Sequence, residues 1–412
     1  MHNRRNLAIL FFTLVVVMMG FGMIIPILPF YIESFGASGK GLGFLMAIFS
    51  IMQFIFSPIW GGYSDRYGRK PMLVIGALGN AISLVLFGLS TELWMIYGAR
   101  ALGGMLSAAT LPTAMAYISD TTEIKNRGGG MGVIGAAMGM GMVLGPGLGG
   151  LLANESLSTP FFVASGLSMI AMFLILIFVP ESLPKSERMA GVQIKGFDLK
   201  EIWRSLFGPI GYLMILSFMV FFGLTSFEGI FGLYARYRFD YNPAQVGSVM
   251  MVIGLISTFV QGVLTGPLTR RFGERQVIKF SLIGSSVGFL IMLAANSDLT
   301  LYVTVGLFVL ANAMLRPGIA SLVSTEAEGG QGTALGLANS FMSLGRIVGP
   351  IWAGMMFDIN ISYPYLSGAI VFLLLYIISF NWLRKPARSH SGLHVPQPQV
   401  QQSDNRVDYF PE

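Results

Sequence analysis

Four charged side chains fall deep inside long apolar stretches of this 412-residue chain: Glu228, Arg100, Arg316 and Arg346. A charge carried into hydrocarbon costs at least ~2.5–3.5 kcal/mol unless it is paired or wet, so such residues mark ion or substrate pathways. Glu228 is the one carboxylate within an apolar run, about 18 residues in, or roughly 27 Å from the run's start. Burial raises the proton affinity of a carboxyl group and a nearby cation lowers it, so an embedded Glu can be poised to load and release a proton. The competing reading is a run that ends early and leaves Glu228 at the interface. Arg100 stands about 7 residues into its run, roughly 10 Å below the surface. It either faces a cavity or snorkels to the headgroups. Arg346 lies roughly 22 Å from the start of its run. Glu33 falls at an interface and is a weaker candidate, while Arg316 sits nearer the opposite side and is not paired with Glu228. Asn312 and the aromatics Tyr31, Phe227 and Phe231, with Phe30 and Tyr234, are candidates for a cavity wall. Aromatics in membrane helices also serve as packing or lipid-facing groups.

Other chemistry is poorly supplied. The chain has no cysteine, and its three histidines are His2, His390 and His394, so neither a thiolate site nor a histidine cluster is expected. With one embedded acid and no embedded histidine, a membrane transferase is unlikely chemistry for this chain. No Gly-x4-Gly-Lys-Ser/Thr loop is present to power transport with nucleotide. The expectation is no enzyme, no metal and no cofactor.

The elements that position these residues are membrane helices. The chain is 54% hydrophobic and 11% charged, against about a quarter charged in soluble domains. Runs of about 20 apolar residues, long enough to cross hydrocarbon, recur at 7–32, 42–63, 71–90, 93–118, 128–153, 160–180, 209–233, 245–268, 276–296, 299–323, 331–356 and 363–383. Arg4 and Arg5 precede the first run with no small-residue cleavage site after it, which reads as a retained span. With both termini in the cytoplasm, 20 of the 26 Lys and Arg fall on the cytoplasmic side, counting Lys279 near the cytoplasmic start of its run, with three outside and three deeper within spans. That partition assigns the net charge of +6 to the membrane's inner face, with no nucleic acid implied.

The two sides of the chain are related. Arg66-Tyr67-Gly68 recurs as Arg271-Phe272-Gly273 and Pro112 as Pro317, both 205 positions on. Gly145-Pro146 recurs as Gly349-Pro350, and Thr159-Pro160-Phe161 as Tyr363-Pro364-Tyr365, both 204 positions on. We read a duplicated six-helix unit: a bundle over 1–180, a cytoplasmic linker over 181–208, a second bundle over 209–383, and a disordered tail over 384–412. Repeats of this orientation place substrate between the halves near the midplane.

Two motifs carry a resemblance. The charged turn Gly61-x3-Asp65-Arg66-x-Gly68-Arg69-Lys70 resembles the signature between helices 2 and 3 of the major facilitator superfamily. Gly132-x8-Gly141-x3-Gly145-Pro146-x2-Gly149-Gly150 resembles the antiporter motif of that superfamily's drug:proton antiporters. Gly20, Gly22, Pro26 and Pro29, and Ile96-x3-Arg100-x2-Gly103-Gly104, resemble further elements of the same branch. Ser226-Phe227-Glu228 and Leu315-Arg316-Pro317 are similar to Gram-positive multidrug efflux pumps. The resemblance implies an all-α integral membrane protein of 12 transmembrane helices in two pseudo-symmetric six-helix bundles. It implies proton-coupled export of small amphipathic molecules by alternating access, in a bacterial inner membrane. Glu228 would carry the proton with Arg100 modulating it, and Asp65 and Asp120 with the 61–72 turn would form a cytoplasmic gate. The partners expected are substrate, protons and lipid, with the protein a monomer. Alternatives are export of a metabolite, sugar or lipid, or a non-transporting receptor. One departure matters: where those pumps carry an acid three positions before the Arg-Pro pair, this chain has Ala313. With Arg346 added, a strictly polycationic substrate is disfavoured, and neutral, zwitterionic or anionic amphipaths stay open.

Overall fold

A computed structural model describes residues 2–122, 127–188, 199–327 and 330–383. The tail over 384–412 and linker residues 189–198 lie outside the described residues. Helices account for nearly all the rest: α1 His2–Ile24, α2 Leu28–Glu33, α3 Gly39–Tyr67, α4 Arg69–Gly88, α5 Leu93–Ser107, α6 Thr110–Thr121, α7 Arg127–Leu152 and α8 Thr159–Phe178. After a short linker helix, α9 Leu199–Ser205, come α10 Gly211–Phe239, α11 Pro243–Phe259, α12 Thr265–Phe272, α13 Glu274–Leu293, α14 Asp298–Asn312, α15 Leu315–Glu326, α16 Gln331–Ile359 and α17 Tyr363–Trp382. Ten helical stretches are long and apolar enough to cross a membrane, with α11–α12, α5–α6 and α14–α15 each counting as one. α1 and α16 stand beside them in the bundle, α1 against α7 and α8 and α16 against α10 and α3.

The duplication extends to the ends of single helices. α4, α5 and α6 are answered by α13, α14 and α15 with first and last residues all displaced by 205, and α8 by α17 with a displacement of 204. Packing repeats too: α1 lies on α7 as α10 lies on α16, and α4 touches α5 and α8 as α13 touches α14 and α17. The architecture is the two-bundle, pseudo-symmetric helical fold.

Several spans depart from straight rods, for reasons of backbone chemistry. The runs expected over 93–118 and 299–323 are each two helices, broken at 108–109 and 313–314. Pro112 and Pro317 stand three residues into the second helix, and a proline cannot donate to the carbonyl four positions back. The run over 7–32 breaks at 25–27 beside Pro26. Residues 260–264, between α11 and α12, form a π-helical turn. The helices over the runs 42–63 and 331–356 reach further than their apolar cores, to 39–67 and 331–359. Gly68 and Gly273 close α3 and α12 with φ of +108° and +78°, left-handed values that glycine adopts without strain.

The glycine stripe of α7 divides its work. A Cβ on Gly141, Gly145 or Gly149 would meet the backbone of α1 at Met18, Met19, Gly22 and Met23, at 2.1–2.9 Å. Gly150 instead abuts the Pro243 carbonyl and Gly247 of α11. Gly132 meets nothing within 4 Å. Gly149→Ala is therefore expected to destabilise the protein by about 1–3 kcal/mol through overpacking. Gly132→Ala should be neutral or stabilising by up to ~1 kcal/mol from helix propensity. Thermal melting of the purified protein separates the two, and equal melting temperatures would contradict this packing.

Candidate functional site

The bundles touch at one end of the membrane-crossing helices and part at the other. At the end carrying Gly39, Gly150 and Ile359, termed here the far end, α3 runs along α16 and α7 along α11. A Cβ on Gly43 would lie 2.3 Å from the Pro350 carbonyl, one on Gly354 2.2 Å from the Gly39 carbonyl, and one on Gly247 2.4 Å from the Pro146 carbonyl. These contacts are backbone against backbone across the two bundles. Toward the other end, where the 61–72 turn lies, the same four helices leave each other. Gly61 of α3, Gly132 and Gly135 of α7, Gly262 beside α11, and Gly332 and Gly336 of α16 meet nothing within 4 Å. The result is a cleft open at the basic end and shut at the far end.

Charge reinforces the far-end closure. The Asp358 carboxylate of α16 accepts from the Gly39 and Lys40 amides, at 2.8 and 3.0 Å, and from the Ser38 hydroxyl at 2.8 Å. It thus caps the first turn of α3, a helix of the other bundle, where the helix dipole favours an anion. Glu33 adds an ion pair at 3.0 Å to Arg236 of α10. The sequence offered no sign of the Asp358 role, since the residues it joins lie 318–320 positions apart. Nearby and outside the helices, Tyr241 donates to Asp298 at 3.0 Å. Burial, then this bond, push its phenol above the ordinary value, so it stays a donor.

At the basic end the 61–72 turn is tied within its own bundle. Arg69 is buried, donates through Nε to Asp120 at 2.9 Å and through Nη1 to Ser64 at 3.1 Å, and pairs with Asp65. Glu181, leaving α8, accepts from the Arg69 amide at 2.8 Å and caps α4. Gly68 is hemmed in by that carboxylate, 2.3 Å from where its Cβ would stand. Arg66 is exposed and Lys70 half-exposed. Asp65 thus faces Arg69 within its own bundle. The second bundle has its own clamp, Arg275 on Glu326 at 2.7 Å with Tyr212 donating to the same carboxylate.

The embedded charges sit where the cleft narrows. Glu228 is half-buried on α10, beside Gly229, whose Cβ would touch Met46 of α3 and Pro350 of α16 at 3.3 Å. Arg346 is half-buried one turn along α16 from Pro350, its guanidinium 5.0 Å over the ring of Phe221. Phe221 and Glu228, seven residues apart, share one stripe of α10. Glu228 and Arg346 fall within range of each other's charge, as do Arg346 and Arg316. Arg316, in the first turn of α15, is exposed.

Arg100, expected to modulate Glu228, is placed elsewhere. It is enclosed in the first bundle, 4.2 Å over the ring of Phe49, beside a cavity of about 10 Å3 lined by Asn80 and Ser83. Its Nε has no hydrogen-bond partner. The cation that reaches Glu228 is Arg346, because α10 and α16 are packed together along their length. The expected cavity wall also differs. Phe227 and Phe231 are buried with Phe289, Phe308 and Tyr365 inside the second bundle. Tyr31 is buried against Phe87 and Phe161, its hydroxyl donating to the Phe87 carbonyl at 2.8 Å. Asn312 is buried against Ser285 of α13, at 3.4 Å. Ring size and apolarity favour the bundle interior over a wet cleft.

The profile described as Major Facilitator Superfamily matches residues 10–265 and 213–401, most of the chain. The chain belongs to the major facilitator superfamily. Among superfamily relatives, it is 34% identical to multidrug resistance protein 1 of Bacillus subtilis, covering 92% of this chain and 96% of that protein. It is 32% identical to multidrug resistance protein 2 of the same organism, over 92% and 95%. The fold is similar to that of the nucleoside transporter NupG, with a TM-score of 0.75 at 16% identity over 94% of this chain and all of that one.

Removal of the far-end cap should loosen the closed cleft. Asp358→Ala is expected to shift the protein toward far-end opening by about 1 kcal/mol, roughly fivefold. Spin labels at Glu92→Cys and Ile359→Cys, in a chain with no other cysteine, read this as a growing long-distance population. An unchanged distance distribution would contradict the role.

Proposed function

We propose that this protein is a secondary exporter that uses inward proton flow to expel small amphipathic molecules, by rocking two bundles, residues 1–180 and 209–383, joined by the 181–208 linker. Twelve crossings place both termini, and the basic end, at the cytoplasmic face of a bacterial cell membrane, following the bias of Lys and Arg. The structure then has its cleft open to the cytoplasm. The protein works as a monomer and needs no cofactor beyond the proton gradient. The relatives named multidrug resistance proteins, aligned over nine-tenths of both chains, favour drug-like cargo over a dedicated metabolite.

The observation that carries this reading is the site of Glu228, an ionisable group at the apex of the cleft beside the contact that must break when the far end opens. From there it can meet the cytoplasm in one state and the outside in the other. Exchange requires that proton and substrate compete for one site and that both states be reachable only when it is filled. One proton returning down a gradient of one pH unit releases about 1.4 kcal/mol and sustains a tenfold substrate ratio. Asp65, Arg66, Arg69, Lys70 and Asp120 with Gly61 and Gly68 form the cytoplasmic gate, a rigid charged face of the first bundle that meets the second when the cleft closes there. Within the stripe, Gly141, Gly145 and Gly149 hold α7 on α1 as one unit, Pro146 and Gly150 meet α11 where the far end closes, and Gly132 faces open space.

In proteoliposomes with an imposed pH gradient, Glu228→Gln is expected to lose gradient-driven transport while keeping its expression and fold. A fully active Gln variant would remove Glu228 from coupling. Asp65→Asn should slow turnover several-fold with the fold intact, and unchanged turnover would remove the gate role.

A further inference from the structure

The charges at the cleft apex do not balance. Glu228 brings one negative charge, Arg346 and Arg316 bring two positive ones, and among the described residues neither arginine makes an ion pair. Ala313 and Met314, on the turn before Arg316, supply no acid. Among the described carboxylates near the basic end, Glu326 is engaged by Arg275 and Tyr212, Glu274 by Ser321, Glu181 by the Arg69 amide, and Asp65 and Asp120 by the Arg69 side chain. Arg346 is kept upright over Phe221, a packing that fixes a guanidinium while leaving its edge free to donate. Arg316 is exposed in the first turn of α15.

Three kinds of cargo can be compared at this site. A bare cation meets a net positive apex and is repelled. A bare anion is attracted, but it binds more tightly once Glu228 is protonated, because the apex then carries two positive charges and no negative one. Proton and anion would then travel together, the reverse of exchange. A molecule carrying both an ammonium and a carboxylate meets neither obstacle. Its ammonium takes the place of the proton at Glu228, and its carboxylate pairs with one of the two arginines, so that binding leaves the net charge of the apex unchanged.

We propose that Arg346, supported by Arg316, is a carboxylate-recognition subsite beside Glu228, and that the preferred substrates are zwitterionic amphipaths. The inference rests on the proton-exchange reading above and adds to it the class of cargo. On its cytoplasmic loading step the substrate ammonium seats at ionised Glu228 while its carboxylate accepts from the Arg346 guanidinium. After the cleft reopens outward, a proton from outside takes Glu228 and the ammonium leaves.

Three dyes on one xanthene scaffold test this. Rhodamine 123 is a cation whose carboxyl is masked as a methyl ester, rhodamine 110 is the same dye with the carboxyl free, and fluorescein is the anionic counterpart. Equilibrium binding to the purified protein is followed by fluorescence anisotropy, and transport in the same proteoliposomes by dye accumulation against protein-free controls. The expected result is at least roughly tenfold tighter binding of rhodamine 110 than of rhodamine 123, with only rhodamine 110 driven by the pH gradient. Arg346→Gln should lower rhodamine 110 affinity at least roughly tenfold and leave or improve rhodamine 123, while Arg346→Lys restores part of the preference. Tighter binding of rhodamine 123 by the wild type, an equal loss of both dyes in Arg346→Gln, or no binding of any dye would overturn the proposal. Selective binding of rhodamine 110 without gradient-driven movement would uphold the subsite and instead overturn proton exchange.

Discussion

A charge inside a helical bundle as thick as a membrane must be paired, capped or wet, and that constraint sorts nearly every ionisable residue of this protein. Arg69 is spent on Asp65 and Asp120, Arg275 on Glu326, Arg236 on Glu33, and Asp358 on the first turn of α3. Each of these holds helices together at one end of the bundle or the other. Deep within the spans, among the described residues, Glu228, Arg346, Arg316 and Arg100 make no such pair, and three of the four gather at the apex of the cleft. Pairing elsewhere is what makes their lack of partners meaningful.

The second constraint is steric. Closure at the far end brings backbone onto backbone, Gly43 against Pro350 and Gly247 against Pro146, so the contact has little side-chain slack to absorb motion. Packed surfaces of this kind are either engaged or apart, which suits a protein that alternates between two states. The carbonyls of Pro350 and Pro146 supply the surface that Gly43 and Gly247 meet. The Asp358 cap and the Glu33–Arg236 pair then add a polar lock that can be broken at modest cost, since it lies near water.

Much of this was legible in the sequence. The duplicated spacing of Pro112 with Pro317 and Gly68 with Gly273 marked two related halves, and the helix ends of those halves match to the residue because proline and left-handed glycine dictate backbone geometry locally. The glycine periodicity of α7 foretold its close packing for the same reason. Pairings across the fold were not legible. Nothing local to Asp358 says that it caps a helix more than 300 positions earlier. Depth arithmetic placed Arg100 and Glu228 both toward the far side, but depth carries no information on azimuth, and Arg100 turned out to face Phe49. Phe227, Phe231 and Tyr31 were misplaced because an aromatic suits a cavity wall and a dry core alike, and only contacts decide between them.

The claim on which the rest depends is that proton and substrate compete for Glu228. It is tested most directly by proton release on binding: in weakly buffered solution, rhodamine 110 added to the purified protein should free up to about one proton per dye bound, most at pH values where Glu228 is largely protonated beforehand. Glu228→Gln, which mimics the protonated carboxyl, should bind the dye more weakly and with no release. Binding by the wild type without proton release at any pH, or equal release from the Gln variant, would contradict it.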